Sequence, residues 1–222
     1  HNNLGILTNH NFLKIKDANV LIVGLGGLGG QFANNIARLG VHNLTLVDFD
    51  RFDVSNLNRQ LFSNHLNIGQ FKVDVINAEL MKVNPDLKIR VMPKKIEDLN
   101  IEQFKHIDYL IDTVDSPKTK IFLSELSTKL NIPLLHGACA GWYGQLGWML
   151  PGCQLLHETY QDKTKGLEEK LLNPSFMPSA VAAVMSSEFV KFVQESKETV
   201  INELLLIDLF NNTTLKTGKN NG

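Results

Sequence analysis

Two cysteines, Cys139 and Cys153, are all that the 222 residues contain, too few for a disulfide framework or for the two paired-cysteine sets of a structural zinc site. That scarcity points to a reducing compartment, and the cytoplasm is the expected location. Net charge is equally scarce: 22 Lys and Arg stand against 23 Asp and Glu. No overall positive field exists to hold nucleic acid or an anionic membrane surface, so any anion site has to be local. Unbroken apolar runs are only a few residues long, which argues against a transmembrane helix, while 43% hydrophobic residues exclude a disordered chain. A signal-peptide pattern is missing as well, and the chain opens with His1 rather than Met, as a truncated or processed start would.

What is present reads as alternating strands and helices. Val20-Leu21-Ile22-Val23 is a short β-branched run suited to burial on both faces, followed at once by a glycine cluster. Gln31 to Leu39 has helical spacing and ends at Gly40, the residue for a left-handed stop. Further strands are expected at Leu44–Val47, Lys88–Val91, Asp108–Ile111 and Ile132–Leu135, with helices over Phe71–Val83 and Ile121–Leu130. After residue 135 the style changes to an extended aromatic and glycine-rich stretch (Gly141–Leu150), a polar crossover loop (Gln161–Pro178), a helix (Ala180–Val193) and a strand-turn-strand ending near Leu215. The fold class is therefore α/β and Rossmann-like: a mostly parallel sheet with helices on both faces and an antiparallel C-terminal extension. A single domain, residues 1–222, is expected, with an N-terminal segment (1–18), a nucleotide-binding half (19–135) and a second half (136–222).

Gly24-Leu25-Gly26-Gly27-Leu28-Gly29 fits G-x-G-x-x-G in the strand-to-helix context that gives the pattern meaning, letting backbone N–H groups approach a phosphate. Asp48 closes the next strand, where an acid accepts ribose hydroxyls, and Asp50 follows it. NAD, FAD and ATP-using proteins share this much. Asn56, Arg59, Gln60 and Lys72 lean toward a triphosphate, because phosphoryl chemistry concentrates charge that Arg and Lys can neutralise. Lys72 also begins a predicted helix, where the macrodipole disfavours a cation unless an anion is near. Asp115 lies just beyond a predicted parallel strand, placed to hold magnesium, although Asp115 or Ser116 could equally cap the following helix.

The order Gly24-x-Gly26-Gly27-x-Gly29, Asp48-Phe49-Asp50, Ser55-Asn56-Leu57-Asn58-Arg59-Gln60, Gly69-Gln70-x-Lys72, Asn84-Pro85 and Asp112-x-x-Asp115 resembles the adenylyltransferase domain of the ubiquitin-activating superfamily, the ThiF/MoeB/HesA group. His136-Gly137-Ala138 through Gln145 and Asn173 through Pro178 look like its short bacterial branch. The resemblance implies ATP and magnesium as cofactors. Its protein substrate would be a ubiquitin-like sulfur carrier with a C-terminal Gly-Gly, whose terminal carboxylate becomes an acyl-adenylate, and a homodimer would be the working form. Matched residue by residue, Asp48 would hold the ribose, Asn56 and Arg59 the phosphates, Lys72 the transition-state charge and Asp115 the magnesium, with Gln60 a positioning candidate. Zinc is expected to be absent, since Cys153 lacks a partner two residues on, and the crossover loop offers no cysteine for a thioester. The family's N-terminal arginine has no counterpart near Asn2. Two alternatives stay open: an NAD-dependent oxidoreductase, which leaves Arg59, Lys72 and Asp115 unemployed, and a non-catalytic nucleotide-binding partner subunit.

Overall fold

The computed structural model describes residues 7–163 and 174–217. Its elements are α1 (Asn9–Asp17), β1 (Asn19–Val23), α2 (Gly27–Leu39), β2 (Asn43–Val47), α3 (Lys72–Val83), β3 (Lys88–Met92), β4 (Tyr109–Asp112), α4 (Pro117–Leu130), β5 (Leu134–Ala140), β6 (Tyr143–Met149), α5 (Leu155–Tyr160), α6 (Phe176–Val193), β7 (Leu205–Asp208) and β8 (Thr213–Lys216). The strands form one sheet in the order β3-β2-β1-β4-β5-β6-β7-β8. Pairing is parallel from β3 to β5 and antiparallel from β5 to β8.

Side-chain alternation splits the core in two. Val20 and Ile22 of β1 pack with Phe32 and Ile36 of α2, Ile76 of α3 and Phe189 of α6 on one face. Leu21 and Val23 pack with Leu123 and Leu126 of α4 and Leu156 of α5 on the other. Each central strand is covered on both sides, which is why it reads as an unbroken apolar run. The N-terminal segment around Asn2, where the resemblance implied an arginine, and most of the predicted crossover loop lie outside the described residues.

Four boundaries shift by three residues or more from the sequence reading: α4 begins at Pro117 rather than Ile121, and the other three move for a local reason each. Helix α2 starts at Gly27 rather than Gln31, so the glycine cluster supplies its first turn despite poor helix propensity. A Cβ at Gly29 would land on the Gly24 carbonyl, so the loop closes tightly only with glycine there. Helix α6 starts at Phe176, not Ala180, and takes in Pro178, tolerable in a first turn whose N–H groups have no intrahelical acceptor. Strand β5 runs on to Ala140 because β6 pairs with it along its whole length, from Leu134 opposite Met149 to Ala140 opposite Tyr143.

Among the described residues α6 is long and apolar enough to cross a membrane by length and composition alone. Its packing is that of a core helix. Val181, Met185 and Phe189 are fully buried, and the Trp148 indole N–H donates to the Glu188 carbonyl at 3.2 Å. Trp148 thus belongs to the core, stacked on Phe192 at 4.2 Å, whereas Trp142 and Tyr143 in the β5–β6 turn region are exposed.

Candidate active site

The carboxyl ends of β1, β2, β4 and β5 open into a cavity of about 740 Å³, the place where open α/β sheets take ligands. Its floor is the glycine loop. Gly24 leaves β1 at φ +86° and packs against the Thr113 backbone, and Gly26 then caps α2 without a side chain. The α2 N-terminus therefore faces the cavity with free N–H groups and a positive dipole end, a combination that favours phosphate. Of the eleven residues proposed from sequence, the cavity is lined by Gly24, Gly26, Gly27, Asp48, Asp50, Asn56, Arg59, Gln60, Lys72 and Asp115. Gly29 lies behind the loop and holds its shape.

These side chains are not equally available. Asp48 is buried at the end of β2, where Oδ2 accepts from the Leu25 N–H at 2.6 Å and Oδ1 from the Asp50 N–H at 2.8 Å. Burial pushes its carboxyl above the ordinary range against the opposing pull of Lys72 and those two N–H groups. Each oxygen keeps a second lone pair, so Asp48 can pin the glycine loop and accept ligand hydroxyls together. Lys72 is buried at the first position of α3 and pairs with Asp50 Oδ2 at 3.0 Å. Asp50 therefore answers the dipole conflict that the sequence raised, without a ligand.

Asn56 is largely spent on structure: its Oδ1 accepts from the Asp53 N–H at 3.1 Å while Asp53 caps the same short 3-10 turn. Arg59 donates to the Ser55 carbonyl at 3.0 Å and to Asn58 Oδ1 at 2.8 Å, both neutral acceptors, so among the described residues its charge is uncompensated. Gln60 is buried, and its Oε1 is the one buried side-chain polar atom without a partner among the described residues. Such an atom costs about 1–3 kcal/mol unless something reaches it. Ser116, not Asp115, caps α4, accepting from the Thr119 N–H at 3.3 Å. Asp115 is thereby left exposed on the cavity wall.

Sequence reasoning missed three features. Lys94 and Lys95, just past β3, and Lys118 add cations to the same cavity, with Lys95 Nζ 5.1 Å from the Phe49 ring centre. Their position beyond the carboxyl end of a parallel strand was the available signal. A second cavity of about 380 Å³ adjoins the first and shares Asp115, Ala138 and Cys139 with it. Its walls include the apolar side chains of Tyr143, Leu206 and Leu215, so it depends on the antiparallel extension. Beneath it lies a buried polar chain. Lys120 Nζ sits 3.3 Å from Asp112 Oδ1, and Asp112 Oδ2 is 2.7 Å from His136 Nδ1.

Fold and site together define a nucleotide-binding α/β protein of the Rossmann kind. More particularly, the chain belongs to the ThiF family, whose sequence model matches residues 2–221. The molybdopterin-synthase adenylyltransferase of Haemophilus influenzae is 28% identical over 204 residues, covering 89% of this chain and 83% of that protein. The adenylyltransferase and sulfurtransferase uba4 of Emericella nidulans is 36% identical over 139 residues, 60% of this chain but 28% of that longer protein. Among solved structures, Escherichia coli MccB with ATP matches at a TM-score of 0.77 and 20% identity, over 94% of this chain and 65% of that one, a likeness of fold. With relatives of these names in its family, the chain is an adenylyltransferase, and the oxidoreductase alternative gives way.

Proposed function

We propose that the chain uses ATP to adenylate the C-terminal glycine carboxylate of a ubiquitin-like sulfur carrier, in sulfur transfer for a thiamine or molybdopterin-type cofactor. The observation that carries this reading is the pair of joined cavities: one cationic and floored by a glycine loop, the other largely apolar, with Asp115 at their junction. A nucleotide fits the first. Its ribose hydroxyls find Asp48, and the unpartnered Gln60 amide, in either orientation, gains a donor or a phosphate acceptor. An extended, side-chain-free tail fits the second, with its carboxylate directed at the α-phosphorus.

The carrier carboxylate is ionised at neutral pH, so no general base is needed. It attacks the α-phosphorus, the bond to the bridging oxygen breaks, and pyrophosphate leaves with that electron pair. Arg59, with uncompensated charge, and Lys72 stabilise the negative charge that grows on the phosphates. Asp115 is the carboxylate positioned to hold magnesium, which would supply further neutralisation of the phosphates. The tail cavity holds the nucleophile in line, an orientational contribution that adds to the charge stabilisation.

The decisive assay is ATP–pyrophosphate exchange with purified carrier. Exchange that requires the carrier is expected, whereas nucleotide binding without exchange would favour a non-catalytic partner subunit. The proposal includes a cytoplasmic location and a homodimer, the latter checked by light scattering of the purified protein. It also includes the absence of zinc: metal analysis is expected to give far less than one zinc per chain, and a stoichiometric value would refute it.

A further inference from the structure

Gln145, on β6, lines the tail cavity, and its orientation is imposed from behind. The Gln145 Nε2 lies 2.6 Å from the Tyr160 hydroxyl and 3.2 Å from His136 Nε2. Behind it, His136 Nδ1 is 2.7 Å from the fully buried Asp112 carboxylate, which Lys120 holds in place. A carboxylate only accepts, so His136 Nδ1 carries the proton and Nε2 is an acceptor. Burial and the nearby Lys120 charge also lower the His136 pKa, which keeps the ring neutral. Two groups can donate to an accepting Nε2, the Gln145 amide at 3.2 Å and the Tyr160 hydroxyl at 3.4 Å; the amide makes the shorter contact, and the Tyr160 oxygen takes its second hydrogen. Both N–H bonds of Gln145 are thereby committed, and Oε1, which accepts from no described residue, is the group left for the cavity.

We infer that Gln145 Oε1 is a specificity-determining acceptor for a backbone N–H of the substrate's C-terminal tail, held in register by the Asp112–His136–Tyr160 chain behind it. The inference rests on the adenylation reading above and names how the tail is recognised. Leu206 and Leu215 give the cavity apolar walls, and although Lys163 and Thr213 line it too, no described residue donates to this oxygen, so a donor that the ligand brings can satisfy it. An extended peptide carries such donors at regular spacing. Tails that lack the N–H at that position, through proline or N-methylation, leave the oxygen unpaired and bind more weakly.

The test uses the carrier that supports exchange with the wild-type chain, rebuilt by ligating synthetic tails in which one backbone amide at a time is N-methylated. One position is expected to raise the carrier KM about tenfold in the wild type, with kcat and the ATP KM nearly unchanged. In Gln145→Met the unmodified carrier should show a comparable KM rise, and methylation at that position should add nothing further. Gln145→Leu serves if Gln145→Met fails to fold. Equal KM for every methylated tail in the wild type, or full sensitivity kept in the variant, overturns the assignment. No exchange by the wild type with any unmodified carrier defeats the adenylation reading itself, and this one with it.

Discussion

Arg59→Ala and Asp115→Asn are each expected to lower carrier-dependent ATP–pyrophosphate exchange by about 10²–10³-fold, the usual effect of removing one group that stabilises transition-state charge, while thermal melting stays near the wild-type value. The separation of activity from stability follows from their surroundings. Among the described residues Arg59 hydrogen-bonds to neutral oxygens alone, Ser55 O and Asn58 Oδ1, in a turn that Asp53 and Asn56 already cap. Asp115 is exposed and takes no part in capping α4, a role filled by Ser116. Neither removal leaves a buried charge unpaired, so the fold loses little. Lys72 is different: buried and paired with Asp50, it couples activity to local stability, and its loss would confuse the two readouts. Near-normal exchange in both variants would show that the nucleotide's reactive phosphorus lies elsewhere.

Much of this site is legible in the chain because its physics is local. The glycine loop is a contiguous run whose geometry only glycine permits at Gly24 and Gly29. Asp48 and Asp115 lie at predictable strand ends, and Gly40 stops α2 at φ +107°, as a C-terminal glycine does. The illegible part is assembled across the sheet. Lys120 in α4, Asp112 in β4 and His136 in β5 form one buried unit only because β4 pairs with β5, setting Asp112 opposite His136. Nothing in the separation of these residues along the chain announces that contact. Helix α5, only six residues long, brings Tyr160 to the same place, and so short a segment carries too little periodicity to be recognised. Capping was ambiguous for the same reason: Asp115 and Ser116 are chemically equivalent candidates until the geometry of α4 selects the serine.

That buried unit sets the second large expectation: Lys120→Met should cost about 3–5 kcal/mol of folding free energy, because it strands Asp112 as a buried carboxylate without its cation. The Gly137 carbonyl, 3.3 Å from Lys120 Nζ, loses a donor as well. Lys120→Met combined with Asp112→Asn should recover part of the loss, since it removes the stranded charge. The same unit gives the fold an acid edge of predictable sign. Burial alone would raise the Asp112 pKa, but Lys120 and the His136 hydrogen bond outweigh it and hold the carboxyl below its ordinary value. For His136, burial and Lys120 lower the pKa beyond what Asp112 restores. Both groups bind protons more readily when unfolded, so each contribution is complete above its unfolded pKa and drains away as pH falls toward the folded one. For His136 that loss begins at about pH 6.5 and for Asp112 at about 3.9. Asp48, with its raised pKa, works in the opposite direction in the carboxylate range. Denaturant unfolding from pH 7.5 to 5 should therefore show falling stability, approaching about 1.4 kcal/mol per pH unit for the one proton taken up by the unfolded histidine. His136→Asn can still donate to Asp112 but has no titrating ring, and it should flatten that slope by about one proton's worth. Wild-type stability that instead rises as pH falls through this range, with the rise lost in His136→Asn, would mean that the buried imidazole is charged in the native protein, which would also reverse the hydrogen-bond polarity that turns Gln145 toward the tail cavity.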